Sequence, residues 1–433
     1  MANEITRISV KGFKSLAKEC SIEIRPLTIL AGANSSGKSS IMQPLLMMKQ
    51  TLDATHDPGA LLINGPNIRF TLVDQFLSKI KGGSSSNKFQ ICIEIENTLS
   101  MCEVFQKSLK GGIDIDEINY YVKDHPPITL NPNMTREEII SSIPKDPIFF
   151  PDSFADRLKF KIERRRFFLK PIGYSGDEKG PSTTFNPGTP IEPFSDSIQK
   201  IIHVRAFRGN PERNYNLFGT GPLFPGTFEN YVASVINNWQ TTMDKRLQAL
   251  GNDLEILGLT WKVEAKAVDD TQVELLVGRL PKSMEDKTDL VSIADVGFGI
   301  SQVLPIIVAL LVAESGQLVY VEQPEIHLHP RAQVALPQLL AKAADNGVRV
   351  VVETHSSLLL LGIQALVAEG KLSPDKVKLH WFKRRPQDGV TEVTSADLDD
   401  AGAFGDWPED FSSAEMDADT RYIHAAEARL EQN

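Results

Sequence analysis

The sequence GANSSGKS occupies residues 32 to 39 and matches the pattern G-x-x-x-x-G-K-[ST]. It follows PLTILAG (26 to 32), an apolar run typical of a strand, and precedes SSIMQPLLMMKQTL (39 to 52), an apolar run typical of a helix. A glycine turn in this setting directs main-chain N–H groups toward the positive end of the helix, which favours an anion. The pattern therefore predicts a phosphate-binding loop.

The residues of this loop have distinct expected roles. Gly32 and Gly37 let the chain curl, so that successive N–H groups converge on phosphate. Lys38 is expected to bridge the β- and γ-phosphates of a nucleoside triphosphate, and the Ser39 hydroxyl is expected to bind Mg²⁺. The other residues expected to contact the nucleotide are Asn34, Ser35, Ser36 and Ser40. The alternative interpretation is a Gly/Ser loop that binds no ligand.

The order of the predicted elements indicates an α/β protein with a mixed sheet. After residue 290, apolar helices alternate with the strands LVYVE, VRVVVE and VKLHWF, which is typical of a parallel sheet layered by helices. The runs LTWKVEAKA (259 to 267) and QVELLVGRL (272 to 280) predict an antiparallel hairpin. The expected divisions are an N-lobe at about 1–96, an insertion at about 97–200, a C-lobe at about 201–396 and an acidic tail at 397–433.

The acidity of the chain is concentrated at its C-terminal end. The net charge is −10, and residues 397 to 433 hold eleven acids against two basic residues, so the first 396 residues are nearly neutral. A neutral body argues against the broad basic face of a nonspecific DNA-binding protein. The best local basic patch is RRR at 164 to 166, which is either a DNA contact or the solvated face of a strand.

Three features bear on the cellular compartment. The apolar run VLPIIVALLVA at 303 to 313 is too short to cross a bilayer, and the N-terminus MANEITRISVKGF lacks the pattern of a secretory signal. Cys20, Cys92 and Cys102 have no metal-ligand spacing and predict no disulfide framework, so we expect buried thiols. Together these features predict a cytoplasmic protein without a membrane partner.

Two patterns in the second half of the chain carry further candidate site residues. DVGFGISQVLPIIVALL, residues 295 to 311, places a polar glycine turn at the start of an apolar helix, and a helix start is a second anion site. The residues expected to contact phosphate there are Gly297, Gly299, Ser301 and Gln302. LVYVEQPEIHLHP, residues 318 to 330, begins with an apolar strand that ends at Glu322, and its resemblance to the strand that carries the magnesium acid of an ATPase implies that this carboxylate holds Mg²⁺.

These segments resemble the ABC-type ATPases of the SMC, RecF and OLD-like group. The run at 295 to 311 resembles a divergent ABC signature, and VYVEQPEIHLHP resembles the Walker B strand with the D-loop behind it. VVVETHSS (350 to 357) resembles the switch-histidine strand, with His355 at the switch position. VKGFKSL (10 to 16) resembles the segment near the nucleotide base, which gives Phe13 and Lys14 an adenine-site interpretation beside one of ordinary packing. The likeness covers about residues 5 to 50 and 290 to 360.

The resemblance implies an ABC-ATPase head, a P-loop NTPase fold whose ligands are ATP and Mg²⁺. In that group the signature of one subunit closes on the ATP held by the other, which implies a homodimer or higher homo-oligomer through the ATP sites. HVRAFRGNPERNY (203 to 215) and AFGDWPEDF (403 to 411) look like compact bacterial AAA-type ATPases with a short C-terminal domain, relatives of which serve in anti-phage defence. Arg205, Arg208 and Arg213 then contact phosphate or a partner, or form structural ion pairs.

The position after Glu322 holds Gln323, where this group usually has the glutamate that polarises the attacking water. An amide orients water but accepts no proton at neutral pH, so we expect slow hydrolysis. Glu325 is a candidate replacement base, and His355 is a candidate sensor of the γ-phosphate. These expectations favour a switch, in which bound ATP holds two heads together, over a motor.

Two functions compete on this evidence. The first is an ATP-gated scaffold or sensor that controls an effector, such as a nuclease or toxin, in bacterial defence. The second is a RecF-like DNA-repair ATPase that binds duplex DNA across its closed dimer. The tail is either a solvated spacer or a docking segment that uses Phe404, Trp407 and Phe411. His327 and His329 have a spacing that suggests a metal, but the resemblance assigns them to the D-loop.

Overall fold

The computed structural model describes residues 3–80, 86–142, 159–174, 184–185, 189–280, 289–405, 420–425, 427 and 429. The strands within these ranges are β1 (Ile5–Lys11), β2 (Cys20–Glu23), β3 (Leu27–Gly32), β4 (Lys88–Ile95), β5 (Leu99–Lys107), β6 (Ile113–Val122), β7 (Ile128–Leu130), β8 (Lys159–Arg165), β9 (Phe168–Tyr174), β10 (Thr184–Phe185), β11 (Ile202–Val204), β12 (Tyr215–Asn216), β13 (Val263–Ala267), β14 (Gln272–Gly278), β15 (Leu290–Ser292), β16 (Leu318–Glu322), β17 (Arg349–Thr354), β18 (Val377–Arg384) and β19 (Thr391–Ala396). The helices are α1 (Lys38–Asp53), α2 (Arg136–Ser142), α3 (Ile191–Gln199), α4 (Val232–Thr241), α5 (Lys245–Ile256), α6 (Phe298–Val312), α7 (Pro330–Asp345) and α8 (Ser357–Ala368).

The central sheet has the strand order β11-β16-β17-β3-β18-β19. The first five strands are parallel, and β19 pairs antiparallel with β18. Every residue of β3 is buried, as expected for a parallel strand that is covered on both faces. This arrangement confirms the predicted α/β fold, a mixed sheet with a parallel core layered by helices.

The two faces of the central sheet pack against different hydrophobic cores. Leu27 and Ile29 of β3 join the core built with α4 to α8, whereas Leu30 joins the core built with α1 and the first sheet. This alternation follows from the two-residue period of a strand. The sheet therefore positions the chain segments that follow its strands between two packed layers.

The register of the central sheet brings three strand ends together. Glu322 at the end of β16 pairs with Glu353 on β17, and Glu353 pairs with Leu30 on β3. The strand β17 thus separates the Walker B-like strand from the strand that leads into the phosphate loop. The carboxyl end of β17 therefore lies beside the strand that leads into that loop.

The first sheet is antiparallel, with the order β2-β1-β4-β5-β6-β7. Strands β5 to β7 continue directly from β4, so the sheet shows no break near residue 97, where the insertion was expected to start. A separate three-stranded sheet, β10-β9-β8, includes Arg164 and Arg165. Strands β13 and β14 form the predicted antiparallel hairpin, and β12 and β15 pair with β14.

Two expectations about side chains are wrong. Cys92 and Cys102 lie opposite each other on β4 and β5, with Cα atoms 4.0 Å apart, and they form a disulfide; Cys20 is a buried thiol. Phe404 is 7% exposed and packs in the core of its own chain, so it is not a free docking group. Trp407 and Phe411 lie outside the described residues.

No helix within the described ranges combines the length and the apolar character needed to span a membrane.

Candidate nucleotide site

The phosphate loop depends on glycine at two positions. Gly32 and Gly37 have φ angles of 141° and 108°. A Cβ on Gly32 would lie 2.2 Å from the main-chain oxygen of Phe382, and a Cβ on Gly37 would lie 2.6 Å from Thr391 Oγ1. Any larger residue would push the loop away from β18 and β19, so these contacts account for both glycines of the motif.

Lys38 begins α1 and folds back over the loop. Its Nζ donates to the main-chain oxygens of Gly32 and Ala33 at 2.9 and 2.8 Å. Burial lowers the pKa of Lys38, while the nearby charge of Glu353 opposes that shift. The ammonium therefore lies at the mouth of the curled loop, within reach of a phosphate bound to the loop N–H groups.

A cavity of about 640 Å³ opens at the loop. Gln323 and His355 from the second half of the chain reach this cavity, and Lys14, Glu353 and Arg384 also line it. The loop residues that line it are Asn34, Ser35, Ser36, Gly37, Lys38, Ser39 and Ser40. Ser36 Oγ is buried and has no hydrogen-bond partner among the described residues. The glycine cradle, the unpaired hydroxyl and the lysine fit a bound triphosphate.

Glu353 is a site residue that the sequence interpretation missed. Ser39 Oγ donates to Glu353 Oε1 at 2.9 Å, and the Tyr320 hydroxyl donates to Glu353 Oε2 at 2.8 Å. Burial raises the pKa of Glu353, and the neighbouring charge of Glu322 raises it further. The available signal was an acid at the end of the apolar run VVVE, directly before the Thr-His pair.

Glu322 is held by the loop that follows β11. Its Oε1 lies 3.2 Å from His203 Nε2, and its Oε2 accepts from the Ala206 N–H at 3.1 Å. Its main-chain oxygen accepts from Arg208 Nη2 at 2.8 Å. Burial alone would raise the pKa of Glu322, but the contact with His203 and the Ala206 hydrogen bond hold it below its ordinary value.

Gln323 and Glu325 occupy different environments. Gln323 has a φ of 43°, its N–H donates to the main-chain oxygen of Glu353 at 2.7 Å, and its side chain lines the cavity. Glu325 Oε1 accepts from Thr354 Oγ1 at 2.9 Å and from the His355 N–H at 2.8 Å. Glu325 therefore fixes the switch strand, and it is not among the residues that line the cavity.

The histidines divide between the cavity and a helix cap. His355 lines the cavity, where burial and the charge of Lys38 lower its pKa. His329 caps α7, because its Nδ1 accepts from the Arg331 N–H at 3.3 Å. Across the described ranges no group of three or more His, Cys, Asp or Glu side chains could hold a metal. A capping role accounts for His329 without a metal.

The signature-like turn lies apart from the cavity of its own chain. Gly297 and Phe298 are exposed at the start of α6, and Ser301 Oγ donates to the Phe298 oxygen at 2.9 Å. Gln302 is 3% exposed, and its Nε2 donates to the Gly209 oxygen at 2.9 Å. Gly299, Ser301 and the exposed start of the turn can face another molecule, whereas Gln302 is engaged inside its own chain.

The candidate arginines are bound within their own chain. Arg205 pairs with Glu229 at 3.6 Å, and Arg213 makes a two-point contact with Asp295 at 2.7 and 3.1 Å. Arg208 is buried, which lowers its pKa to about 10. These contacts match the ion-pair interpretation for Arg205 and Arg213.

Two weaker candidates also have structural roles. In the RRR patch, Arg164 pairs with Asp57 at 2.8 Å, and Arg166 donates to the main-chain oxygen of Ala54 at 2.7 Å. Phe13 is fully buried and stacks on Phe76, with ring centroids 5.5 Å apart, so it packs in the core and does not line the cavity.

Comparison with known proteins agrees with this geometry. The family model described as "AAA ATPase domain" matches residues 4–162, and the model described as "AAA domain, putative AbiEii toxin, Type IV TA system" matches residues 283–361. Old nuclease of Escherichia phage P2 is 22% identical over 386 residues, which cover 83% of this chain and 58% of that protein. An SMC head bound to the C-winged helix domain of ScpA aligns over 92% of this chain and 99% of that chain, with 13% identity and a TM-score of 0.51.

These matches show which ATPases the chain is similar to. The SMC head shares its fold, and the two family matches include the phosphate loop and the Walker B-like and switch strands. The chain is similar to ABC-type ATPases of the SMC/OLD-like group, and such ATPase families bind nucleotide, usually with Mg²⁺. It spans less than two thirds of the length of Old nuclease.

Proposed function

We propose that this chain binds ATP with Mg²⁺, hydrolyses it slowly, and uses bound ATP to hold two copies together as a switch on an effector protein in anti-phage defence. One observation carries the proposal. The phosphate-loop cavity contains Lys38, Ser39 and Gln323, while the signature-like turn of the same chain begins with the exposed Gly297 and Phe298 and contributes no residue to the lining. A second copy supplies the missing turn.

The residues of the cavity support a positioning mechanism. The loop N–H groups and Lys38 hold the phosphates and offset their charge, which is the main requirement of phosphoryl transfer. Bound Mg²⁺ would be held by Ser39 together with an acid at the strand ends, and it supplies charge neutralisation at the β- and γ-phosphates. Gln323 orients the attacking water by a hydrogen bond but takes no proton from it, so turnover is slow.

The exposed turn supports closure on a second copy. Gly297 and Gly299 allow close approach of the α6 start to a phosphate, and the Ser301 hydroxyl adds a donor. The aromatic ring of Phe298, half exposed, lies 6.0 Å from the ring of His327 in the D-loop-like segment. The turn therefore contacts the D-loop-like segment, and a surface that combines the two suits a two-fold interface.

The names of the similar proteins support the proposal of an effector partner. Old nuclease is named for nuclease activity, one matched family model describes a putative toxin of a type IV TA system, and the SMC head was solved with ScpA bound. We propose that this chain likewise controls a nuclease or toxin carried by a partner protein.

The dimer is tested by measuring mass in solution with light scattering, with and without a non-hydrolysable ATP analogue and Mg²⁺. The wild type should be a dimer only with the analogue. Lys38→Ala should lower nucleotide affinity by about 10- to 100-fold, as expected when a charged hydrogen-bond partner is removed, and should stay monomeric. Ser301→Arg should bind the analogue normally and stay monomeric, because the larger side chain blocks the turn.

The matched control is Ser141→Arg, an exposed serine on α2, which should dimerise like the wild type. A wild-type protein that binds the analogue and remains monomeric contradicts the dimer. A pull-down of the native protein with and without the analogue then identifies the partner. Recovery of a nuclease or toxin supports the proposed function, and recovery of duplex DNA instead favours the DNA-repair alternative.

A further inference from the structure

Two acids lie in register at the edge of the central sheet where Mg²⁺ is expected. They differ in their hydrogen-bond partners and in their access to the cavity. Glu322 ends β16, and Glu353 lies beside it on β17. Only Glu353 contacts the Ser39 hydroxyl, at 2.9 Å, and only Glu353 lines the cavity. Strand β17 lies between β16 and β3, so its acid is one strand nearer to the phosphate loop.

We propose that Glu353 is the principal carboxylate for Mg²⁺ at this site, and that Glu322 holds the loop after β11 in place. The inference rests on the proposed function, since it concerns the same ATP site. It reverses the role that the Walker B-like pattern suggests for Glu322.

The chemistry of Ser39 supports this role for Glu353. A serine hydroxyl can donate its proton to a carboxylate while its oxygen lone pairs face a cation. The carboxylate that accepts this proton shares the coordination environment of the ion. Mg²⁺ usually keeps several waters and uses one or two carboxylates together with substrate phosphates, so one well-placed acid beside Ser39 is sufficient.

The second oxygen of Glu353 is also held. The Tyr320 hydroxyl donates to Glu353 Oε2 at 2.8 Å, and the Tyr320 side chain is fully buried. Its ring stacks on His203, with centroids 5.3 Å apart, and His203 contacts Glu322. Tyr320 is therefore a positioning residue that orients Glu353 toward Ser39.

The carboxylate of Glu322 is engaged by β11 and the loop that follows it. Its two carboxylate oxygens face His203 Nε2 and the Ala206 N–H, and its main-chain oxygen accepts from Arg208. His203 lies within β11, and Ala206 and Arg208 lie in the loop that follows it. These contacts account for the position of Glu322 within the fold without any contact to an ion.

The test measures Mn²⁺ binding to the ATP-loaded protein by electron paramagnetic resonance, and ATP binding in EDTA. Glu353→Gln should weaken Mn²⁺ binding by about 10- to 100-fold and leave ATP binding in EDTA near the wild-type value. Glu353→Asp keeps a carboxylate and should recover part of the Mn²⁺ affinity. Glu322→Gln and the exposed control Glu369→Gln should bind Mn²⁺ nearly as the wild type does.

The outcomes separate this inference from the proposed function. If the wild type binds ATP and Mn²⁺ but Glu353→Gln binds Mn²⁺ equally well, or Glu322→Gln loses more affinity, Glu353 is not the principal ligand and the proposed function stands. If the wild type binds no ATP, the inference about Glu353 and the proposed function are both wrong. Should Glu353→Gln also lose ATP binding in EDTA, the substitution disturbs the site as a whole, and Glu353→Asp decides. If Glu353→Asp binds ATP in EDTA normally and recovers part of the Mn²⁺ affinity, the carboxylate is a ligand. If it binds ATP normally and recovers no Mn²⁺ affinity, the proposal is wrong.

Discussion

In the proposed site, the side-chain amide of Gln323 is the group expected to orient the attacking water. Gln323 follows the strand end directly, adopts a left-handed φ of 43°, and is tied by its N–H to the Glu353 oxygen. Its side chain consequently lines the cavity beside Lys38 and Ser39. An amide can supply a hydrogen bond but no base, so under the proposed function we expect ATP to bind without rapid hydrolysis.

Gln323→Glu should therefore raise the rate of ATP hydrolysis. A general base contributes about 10²- to 10⁴-fold, so we expect a gain of at least about 100-fold at saturating ATP and Mg²⁺. Phosphate release measures the rate, and Gln248→Glu on the exposed face of α5 is the matched control. A rate that does not change would mean that Gln323 does not face the attacking water.

At the scale of elements, α7 and α8 follow the two segments that contribute Gln323 and His355 to the cavity. The D-loop-like segment leads into α7 at the His329 cap, and the switch strand leads into α8 at Ser356, whose Oγ accepts from the Leu359 N–H at 3.1 Å. Ser356 Oγ also donates to Gln333 Oε1 at 2.8 Å, so the start of α8 is bonded to the side of α7. The packing of these helices therefore sets the distance between both segments.

Gly362 on α8 permits this close packing. A Cβ there would lie 2.8 Å from Pro337 Cγ and 3.0 Å from the Val334 oxygen on α7. Gly362→Ala should lower the free energy of unfolding by about 1 to 3 kcal/mol, although alanine favours a helix more than glycine does. Urea unfolding measures the change.

Gly219→Ala is the control for this substitution, since a Cβ on Gly219 meets no atom within 4 Å. It should leave stability near the wild-type value. Equal stability of Gly362→Ala and the wild type would show that α7 and α8 move apart at little cost.

At the scale of the whole molecule, His380 links the central sheet to the first sheet. It is 1% exposed on β18; its Nε2 donates to the Glu23 oxygen on β2, and its Nδ1 accepts from Ser395 Oγ on β19, both at 2.8 Å. Burial lowers the pKa of His380 to about 4. The folded protein therefore keeps this histidine neutral.

Stability should fall as the pH drops from 7 to 5. The unfolded chain takes up the proton near the ordinary pKa of 6.5, well before the folded protein does, so the contribution is present above that pH and is lost as the pH approaches 4. The expected loss from His380 is about 2 kcal/mol between pH 7 and pH 5. Urea unfolding at both pH values measures it.

His380→Gln should show a smaller loss of stability over this range than the wild type, and His125→Gln, at an exposed histidine, should behave like the wild type. The same pH dependence in all three proteins would contradict a neutral, buried His380.

Local sequence patterns were sufficient to predict the fold class and the phosphate-loop part of the candidate site. The strand, glycine turn and helix start around GANSSGKS are adjacent in sequence, so the motif was sufficient to predict a strand, a loop and a helix in that order. The alternation of helices and strands after residue 290 predicted the parallel core of the central sheet. Gln323 and His355 were named through the resemblance to ABC-type ATPases, and both line the cavity, where each directly follows an apolar strand.

Only the tertiary structure decided which segments that are distant in sequence become neighbours. The position of β17 between β16 and β3 brings Glu353 to Ser39 across 314 residues of sequence. Register across β4 and β5 pairs Cys92 with Cys102, and packing buries Gln302 and Phe404. Strand order and burial arise from contacts summed over the whole chain, so no short segment of sequence contains them.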